Sequence, residues 1–140
     1  MFITFEGVDG SGKSTQVKLL SSFLNDKGIQ NIITREPGGT SAGEKIRKIL
    51  KEERLNPLSE LLLLYANRKE HIDKVIAPNM DKIVISDRFN DSTIAYQHYG
   101  RGIPIEEIEK LSKITVGYFK PNITFLLDLD LKFRKKRMKN

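Results

Sequence analysis

Apolar positions follow two rhythms along this chain of 140 residues. Short continuous runs mark strands at Met1 to Phe5, Asn31 to Thr34, Lys82 to Ser86 and Ile123 to Leu127. Their β-branched and aromatic content suits strands, and unbroken apolar runs such as Ile83-Val84-Ile85 suit strands covered on both faces, as in a parallel sheet. Between them the spacing turns helical. Leu19, Leu20, Phe23 and Leu24 lead to Gly28, which is placed to close a helix as its C′ residue. Ile46, Ile49 and Leu50 mark a short helix. Pro57 opens a longer one through Leu61, Leu64 and Arg68 to about Ala77, stopped by Pro78. Pro104 begins another, with Ile105, Ile108 and Leu111 on one side. Asp128 or Asp130 is placed to cap a final helix. Strands alternating with helices predict one α/β domain over residues 1–140, built on a parallel sheet.

Composition narrows the class. Hydrophobic residues make up 39% and charged residues 30%, which argues against wholesale disorder. The run Leu61 to Leu64 is too short to cross a bilayer, so no membrane partner is expected. Glu6 and Asp9 stand where a secretory leader would be basic, so the default location is cytoplasmic. The chain has no cysteine, which excludes a disulfide scaffold, a thiolate zinc site and a cysteine nucleophile. The net charge of +6 comes from one segment, KFRKKRMKN at 132–140, while the preceding residues balance. A protein that grips nucleic acid spreads its basic residues over a face, so no nucleic-acid partner is expected. The basic segment reads as a solvated helical face or a frayed end.

The strongest chemical signal is Gly7-Val8-Asp9-Gly10-Ser11-Gly12-Lys13-Ser14, a full match to G-x-x-x-x-G-K-[ST]. It follows an apolar strand and precedes an amphipathic helix, the context the motif needs. Its amides can form an anion nest at a helix N-terminus, with Lys13 as a point charge toward the outer phosphates. The Ser14 hydroxyl can ligate Mg²⁺, with Thr15 as a spare hydroxyl beside it. The motif implies a nucleoside triphosphate and leaves the acceptor open.

The strand ending in Asp87-Arg88 speaks to the acceptor. Strand carboxyl ends gather ligands in parallel sheets. Asp87 could hold Mg²⁺ or orient Arg88, and Arg88 could grip a second phosphate; an ordinary loop salt bridge is the alternative. Arg35-Glu36-Pro37-Gly38-Gly39-Thr40 follows the second strand at the same rim, as a functional loop or as a turn with a local ion pair. Arg68 reads as a phosphate clamp or a solvated helical arginine. His71 and His98 have no metal-like partners and read as surface or hydrogen-bonding residues. Phe125-Leu126-Leu127-Asp128 is a possible magnesium strand, or a helix cap.

FEGVDGSGKST at 5–15, REPGGT at 35–40, LLLLYANR at 61–68, DRFNDSTIAYQ at 87–97 and FLLDLD at 125–130 occur in that order. Together they resemble bacterial thymidylate kinase, a nucleoside-monophosphate kinase, across essentially the whole chain. The resemblance implies a P-loop three-layer α/β sandwich and transfer of a phosphoryl group from ATP to dTMP with Mg²⁺, commonly in a homodimer. It implies that residues 7–15 hold the ATP phosphates. Asp9 would sit between the donor and acceptor phosphates, near the metal with Ser14 and Asp87. Arg35, Glu36, Pro37, Leu64 and Asp87 would line the acceptor. Arg68 and Arg88 would clamp its phosphate and base, and Tyr96 would lie against the deoxyribose. Thr93 and Gln97 would read thymine edges. Catalysis would rest on Asp9, Lys13 and Arg88, with no general base, because the acceptor phosphate is already an anion.

Departures from the family are also legible. Leu64 stands where the family places a phenylalanine that stacks on thymine, with Tyr65 as a neighbouring substitute. Phe89 replaces a tyrosine. Gly10 and Ser11 stand where some relatives carry an arginine, which others supply from a lid. The resemblance implies that the lid, a fifth strand and a last helix are missing, so a C-terminally incomplete kinase is expected.

Overall fold

The computed structural model describes residues 1–130 and 132–133. Four strands form one wholly parallel sheet: β1 (Phe2–Glu6), β2 (Asn31–Arg35), β3 (Ile83–Asp87) and β4 (Ile123–Leu126). Their order is β2-β3-β1-β4. All five residues of β1 are buried, because it is flanked by β3 and β4 and covered on both faces.

The pleat sorts β1 into two cores. Phe2 packs with Val84, Ile72, Ile76 and Phe89 on one face. Ile3 and Phe5 pack with Ile85, Val17 and Leu24 on the other. The latter face is covered by α1 (Lys13–Asp26), giving a helix–sheet–helix sandwich. Only part of the apolar pattern of α1 faces inward: Val17 and Leu24 are buried, whereas Leu19 and Phe23 are more than half exposed.

Helix α1 ends as its sequence implies. Gly28 N–H donates to Asn25 O and Ile29 N–H to Leu24 O, the paired bonds of a Schellman close. Gly28 has φ +70°, and nothing lies within 4 Å of the place a Cβ would take. Helix α2 (Ser41–Glu52) is capped by Thr40 Oγ1, which accepts from Gly43 N–H at 2.9 Å. Asn56 caps α3 (Pro57–His71) in the same way through Ser59 N–H, with Pro57 in the first turn.

Helix α3 does not run evenly to Ala77. It widens into a π-helical turn at Ile72–Ile76 and tightens to a 3-10 turn at Ala77–Asn79, with Pro78 inside that turn. Ile72 and Ile76 thereby meet the sheet. A segment read above as part of a motif, without assigned structure, is also helical. It comprises α4 (Asn90–Thr93) and a π-helical continuation at Ile94–Gly100. Its wider turn breaks the 3.6-residue rhythm that reveals helices in sequence. Helix α5 (Ile105–Thr115) buries Ile108 against Leu61, Tyr65 and Ile103, with Ile105 and Leu111 alongside. After β4, Asp130 Oδ1 accepts from Lys132 N–H at 3.0 Å, as expected of a cap. The basic stretch at 134–140 lies outside the described residues.

Gly28→Ala should destabilise the fold by about 1 kcal/mol through left-handed backbone strain alone, since there is no clash. Urea denaturation checks this, and an unchanged midpoint would contradict it.

Candidate active site

The strand order places the site. The chain leaves β1 for β2 on one side of the sheet and β3 for β4 on the other, so a crevice opens beyond the carboxyl ends of β1 and β3. The register sets Phe5 level with Asp87, and Asp87 level with Arg35. The loops after three strands therefore share one rim.

The first loop spans β1 to α1. At Gly7, φ is +143° and an added Cβ would lie 2.6 Å from Leu127 O, so only glycine fits where the chain turns. Lys13 Nζ curls back to donate to Val8 O at 2.9 Å, so its ammonium lies within the curve of the loop. Burial lowers the Lys13 pKa, and the nearby Arg88 charge adds to this; Asp87, Asp9 and Glu6 oppose it. Ser14 Oγ donates to Asp87 Oδ2 at 2.5 Å. A cavity of about 850 Å³ is lined by residues 9–16 together with Arg35, Glu36, Arg47, Asp87 and Arg88. Gly7 and Val8 form the loop behind it.

A second cavity, of about 420 Å³, adjoins the first. Pro37, Leu64, Arg68, Thr93, Tyr96 and Gln97 line it. Arg35 and Asp87 do not: they line the larger cavity, and Arg35 is paired with Glu44 at 3.0 Å. Asp9, Glu36, Arg47 and Arg88 line both cavities.

Arg68 is not a solvated helical arginine. It is 2% exposed and ties together three elements. Its Nε donates to Glu36 Oε2 at 2.7 Å, Nη1 to Asn90 Oδ1, and Nη2 to Phe89 O and Thr93 Oγ1. Its guanidinium also lies over the Tyr65 and Phe89 rings, at 5.1 and 5.3 Å. Four of its five N–H donors are thus spent on protein. Glu36 is equally buried, and its other oxygen meets His71 Nδ1 at 2.9 Å. His71 is fully buried and reaches Thr34 Oγ1 through Nε2, so it is a hydrogen-bonding residue and not a surface one. His98 Nδ1 pairs with Ile103 O.

Tyr65 cannot stand in for the missing phenylalanine ring. It is 1% exposed in the core, with its single hydroxyl proton shared between Ile108 O and Asn90 Oδ1. Leu64 alone of the two lines the cavity. Gln97 spends its Nε2 on Glu60 Oε1 at 2.8 Å, and Glu60 is in turn paired with Arg101.

Arg88 joins the two cavities. Its Nη2 donates to Asp9 Oδ1 at 2.6 Å and to Tyr96 Oη at 3.3 Å, and its guanidinium stacks over the Tyr96 ring at 5.1 Å. Burial works against its charge, but Tyr96 and Asp9 outweigh that and raise its pKa. Among the described residues, no three His, Asp or Glu side chains converge as a metal cage.

Two lining residues, Arg47 and Asn67, and one residue behind the cavities, Glu6, carried no sequence signal. Arg47 Nη1 donates to Pro37 O from the middle of α2. Asn67 accepts from Gly38 N–H through Oδ1, while its buried Nδ2 has no acceptor among the described residues. Glu6 is 4% exposed and binds the loop after β3.

A parallel sheet with a glycine-rich loop between its first strand and first helix, and two cavities meeting at its rim, is the architecture of the nucleoside-monophosphate kinase class of P-loop proteins. A sequence model of the family described as Thymidylate kinase matches residues 5–140. The chain is 51% identical to a thymidylate kinase of Wolbachia pipientis wMel, over 100% of this chain and 73% of the relative. It is 54% identical to that of Ehrlichia ruminantium strain Gardel, over 94% of this chain and 67% of the relative. The crystal structure of thymidylate kinase from Ehrlichia chaffeensis superposes with a TM-score of 0.88 at 47% identity, covering 99% of this chain and 82% of that one. The chain belongs to the thymidylate kinase family.

Arg68→Met should destabilise the protein by about 3–5 kcal/mol, because it strands the buried Glu36 carboxylate. Adding Glu36→Gln should restore part of the loss. Urea denaturation would contradict this if the single variant unfolded with its parent.

Proposed function

We propose that the protein transfers the γ-phosphoryl group of ATP to dTMP, giving ADP and dTDP. The observation that carries the reading is the junction of the two cavities, where Asp9 and Arg88 line both. A donor phosphate chain in the loop cavity and an acceptor phosphate in the smaller one would meet there.

The loop amides and the N-terminus of α1 hold the triphosphate, and Lys13 neutralises its outer phosphates. Arg88 exchanges its Asp9 contact for the acceptor phosphate and holds it in line with the donor. Arg68 acts on the acceptor side mainly by fixing Glu36, Thr93 and the loop after β3, since most of its donors are already engaged. Glu36 and Pro37 border the sugar, Tyr96 lies against the deoxyribose, and Leu64 gives thymine apolar contact without a stacking face. Thr93 and Gln97 face the base. With Gln97 Nε2 held by Glu60, its carbonyl oxygen is the group left to read a base N–H.

Ser14 and Asp87 fit Mg²⁺: a hydroxyl and a carboxylate side by side on the loop cavity are the few protein oxygens this ion takes alongside phosphates and water. When bound, Mg²⁺ would supply charge neutralisation between the phosphates. Asp9, held by Arg88, lines the same cavity as Ser14 and Asp87. A homodimer, implied by the resemblance, is supported by Ile49 on α2 and by Leu58 and Leu62 on α3, which are each more than two-fifths exposed on two helices that pack together. No described helix is long and apolar enough to cross a membrane.

A coupled assay of ADP release with ATP and a panel of dTMP, dUMP, dCMP and dGMP tests the reading. dTMP should be preferred, and Lys13→Ala should lower turnover about a hundredfold or more. Preference for another monophosphate, or full activity in Lys13→Ala, would overturn it. Sedimentation equilibrium should give a dimer; a monomer at assay concentration would count against the paired helices.

A further inference from the structure

Glu6 is a buried carboxylate at the end of the central strand, and the phosphoryl-transfer scheme above does not use it. It is 4% exposed. Burial raises its pKa against the hydrogen bonds from Ser92 and Phe89 that hold it ionised. A lone buried carboxylate is costly, so what it binds is informative.

Both oxygens are committed to the segment that carries Arg88. Oε1 accepts from Phe89 N–H at 2.7 Å, and Oε2 accepts from Ser92 Oγ at 2.5 Å. Since the Ser92 hydroxyl gives its proton to Glu6, its oxygen is the acceptor for Arg88 Nη1 at 2.8 Å. The guanidinium is therefore aimed from two sides, by Ser92 and by Asp9.

The backbone points to the same role. Arg88 has φ +75°, the only positive φ at a residue other than glycine among the described residues. A side chain in that region is strained, and such strain persists only where neighbours over-determine it. Arg88 N–H donates to Phe5 O at 3.0 Å, its carbonyl accepts from Ser86 Oγ at 2.8 Å, and the next N–H is the one Glu6 holds. The Phe89 ring is also pinned edge-on to Phe2 at 5.0 Å.

We propose that Glu6 is a positioning residue for the acceptor phosphate: it holds Arg88 in its strained backbone state through Phe89 N–H and aims its guanidinium through Ser92. The assignment rests on the reading of Arg88 given above. Glu6→Gln is nearly isosteric and keeps an acceptor for Phe89. Its amide nitrogen, however, turns Ser92 from a donor into an acceptor and so competes with Arg88 Nη1. Ser92→Ala removes the aiming contact and leaves Phe89 N–H in place.

The test is calorimetric titration of parent, Glu6→Gln, Ser92→Ala and Arg88→Ala with dTMP and with thymidine, which lacks the phosphate. Both positioning variants should bind dTMP about tenfold more weakly, the worth of a charge-assisted hydrogen bond, while thymidine affinity holds. A merely structural role for Glu6 would weaken both ligands alike or neither, and either result overturns the proposal. If Glu6→Gln fails to fold, Ser92→Ala decides alone. If Arg88→Ala itself keeps full dTMP affinity, the assignment of Arg88 fails and the inference falls with it. Loss in Arg88→Ala with none in the other two defeats only the role given to Glu6.

Discussion

The parallel pairing of β1 with β3 is the constraint on which the rest of this structure depends. It sets Phe5 level with Asp87, so the turn after one strand and the turn after the other open onto the same crevice. Neither loop makes a site alone. The glycine-rich turn offers amides and Lys13, and the Asp87-Arg88 turn offers a carboxylate beside Ser14 and a guanidinium beside Asp9. A shift of one residue in that ladder would send Phe2 and Ile3 to the wrong faces of the sheet. The two apolar cores therefore protect the register that the chemistry requires.

Charge is buried in this protein where precision is needed. Glu36 and Arg68 form an ion pair in which both side chains are almost wholly enclosed, and His71 completes the carboxylate. Such pairs contribute little net stability against the cost of desolvation, but removing one partner is expensive. Their effect here is to fix the loop after β2 to α3, and α3 to the start of α4. The smaller cavity lies between those elements. Its walls are thus set by buried polar contacts, with Leu64 as an apolar part of its lining.

Much of this was legible along the chain. The strands and most helices follow from hydrophobic rhythm, and Gly28, Pro57 and Pro104 mark helix boundaries where backbone geometry demands them. The glycine-rich loop was legible because its motif is contiguous, complete within eight residues between one strand and one helix. The segment at 90–100 was not, because its π-helical turns abandon the spacing that betrays a helix. Arg68 was ambiguous for a different reason: a helical arginine has the same spacing whether it faces water or a buried carboxylate brought in by another loop.

Sequence alone determined the strands and most helices in their order, the parallel class of the sheet, the glycine-rich turn and the family, since these follow from local hydrophobic rhythm or from contiguous motifs. Only the tertiary structure decided which charges are buried together. It put Glu6 under Arg88, turned Tyr65 into the core and left Leu64 at the smaller cavity, and set Arg35 and Asp87 on the larger cavity and not the smaller. Each of those outcomes pairs residues far apart in the chain, and the free energy of burying a charge or ring depends on the partner it meets, which spacing along one strand or helix does not record.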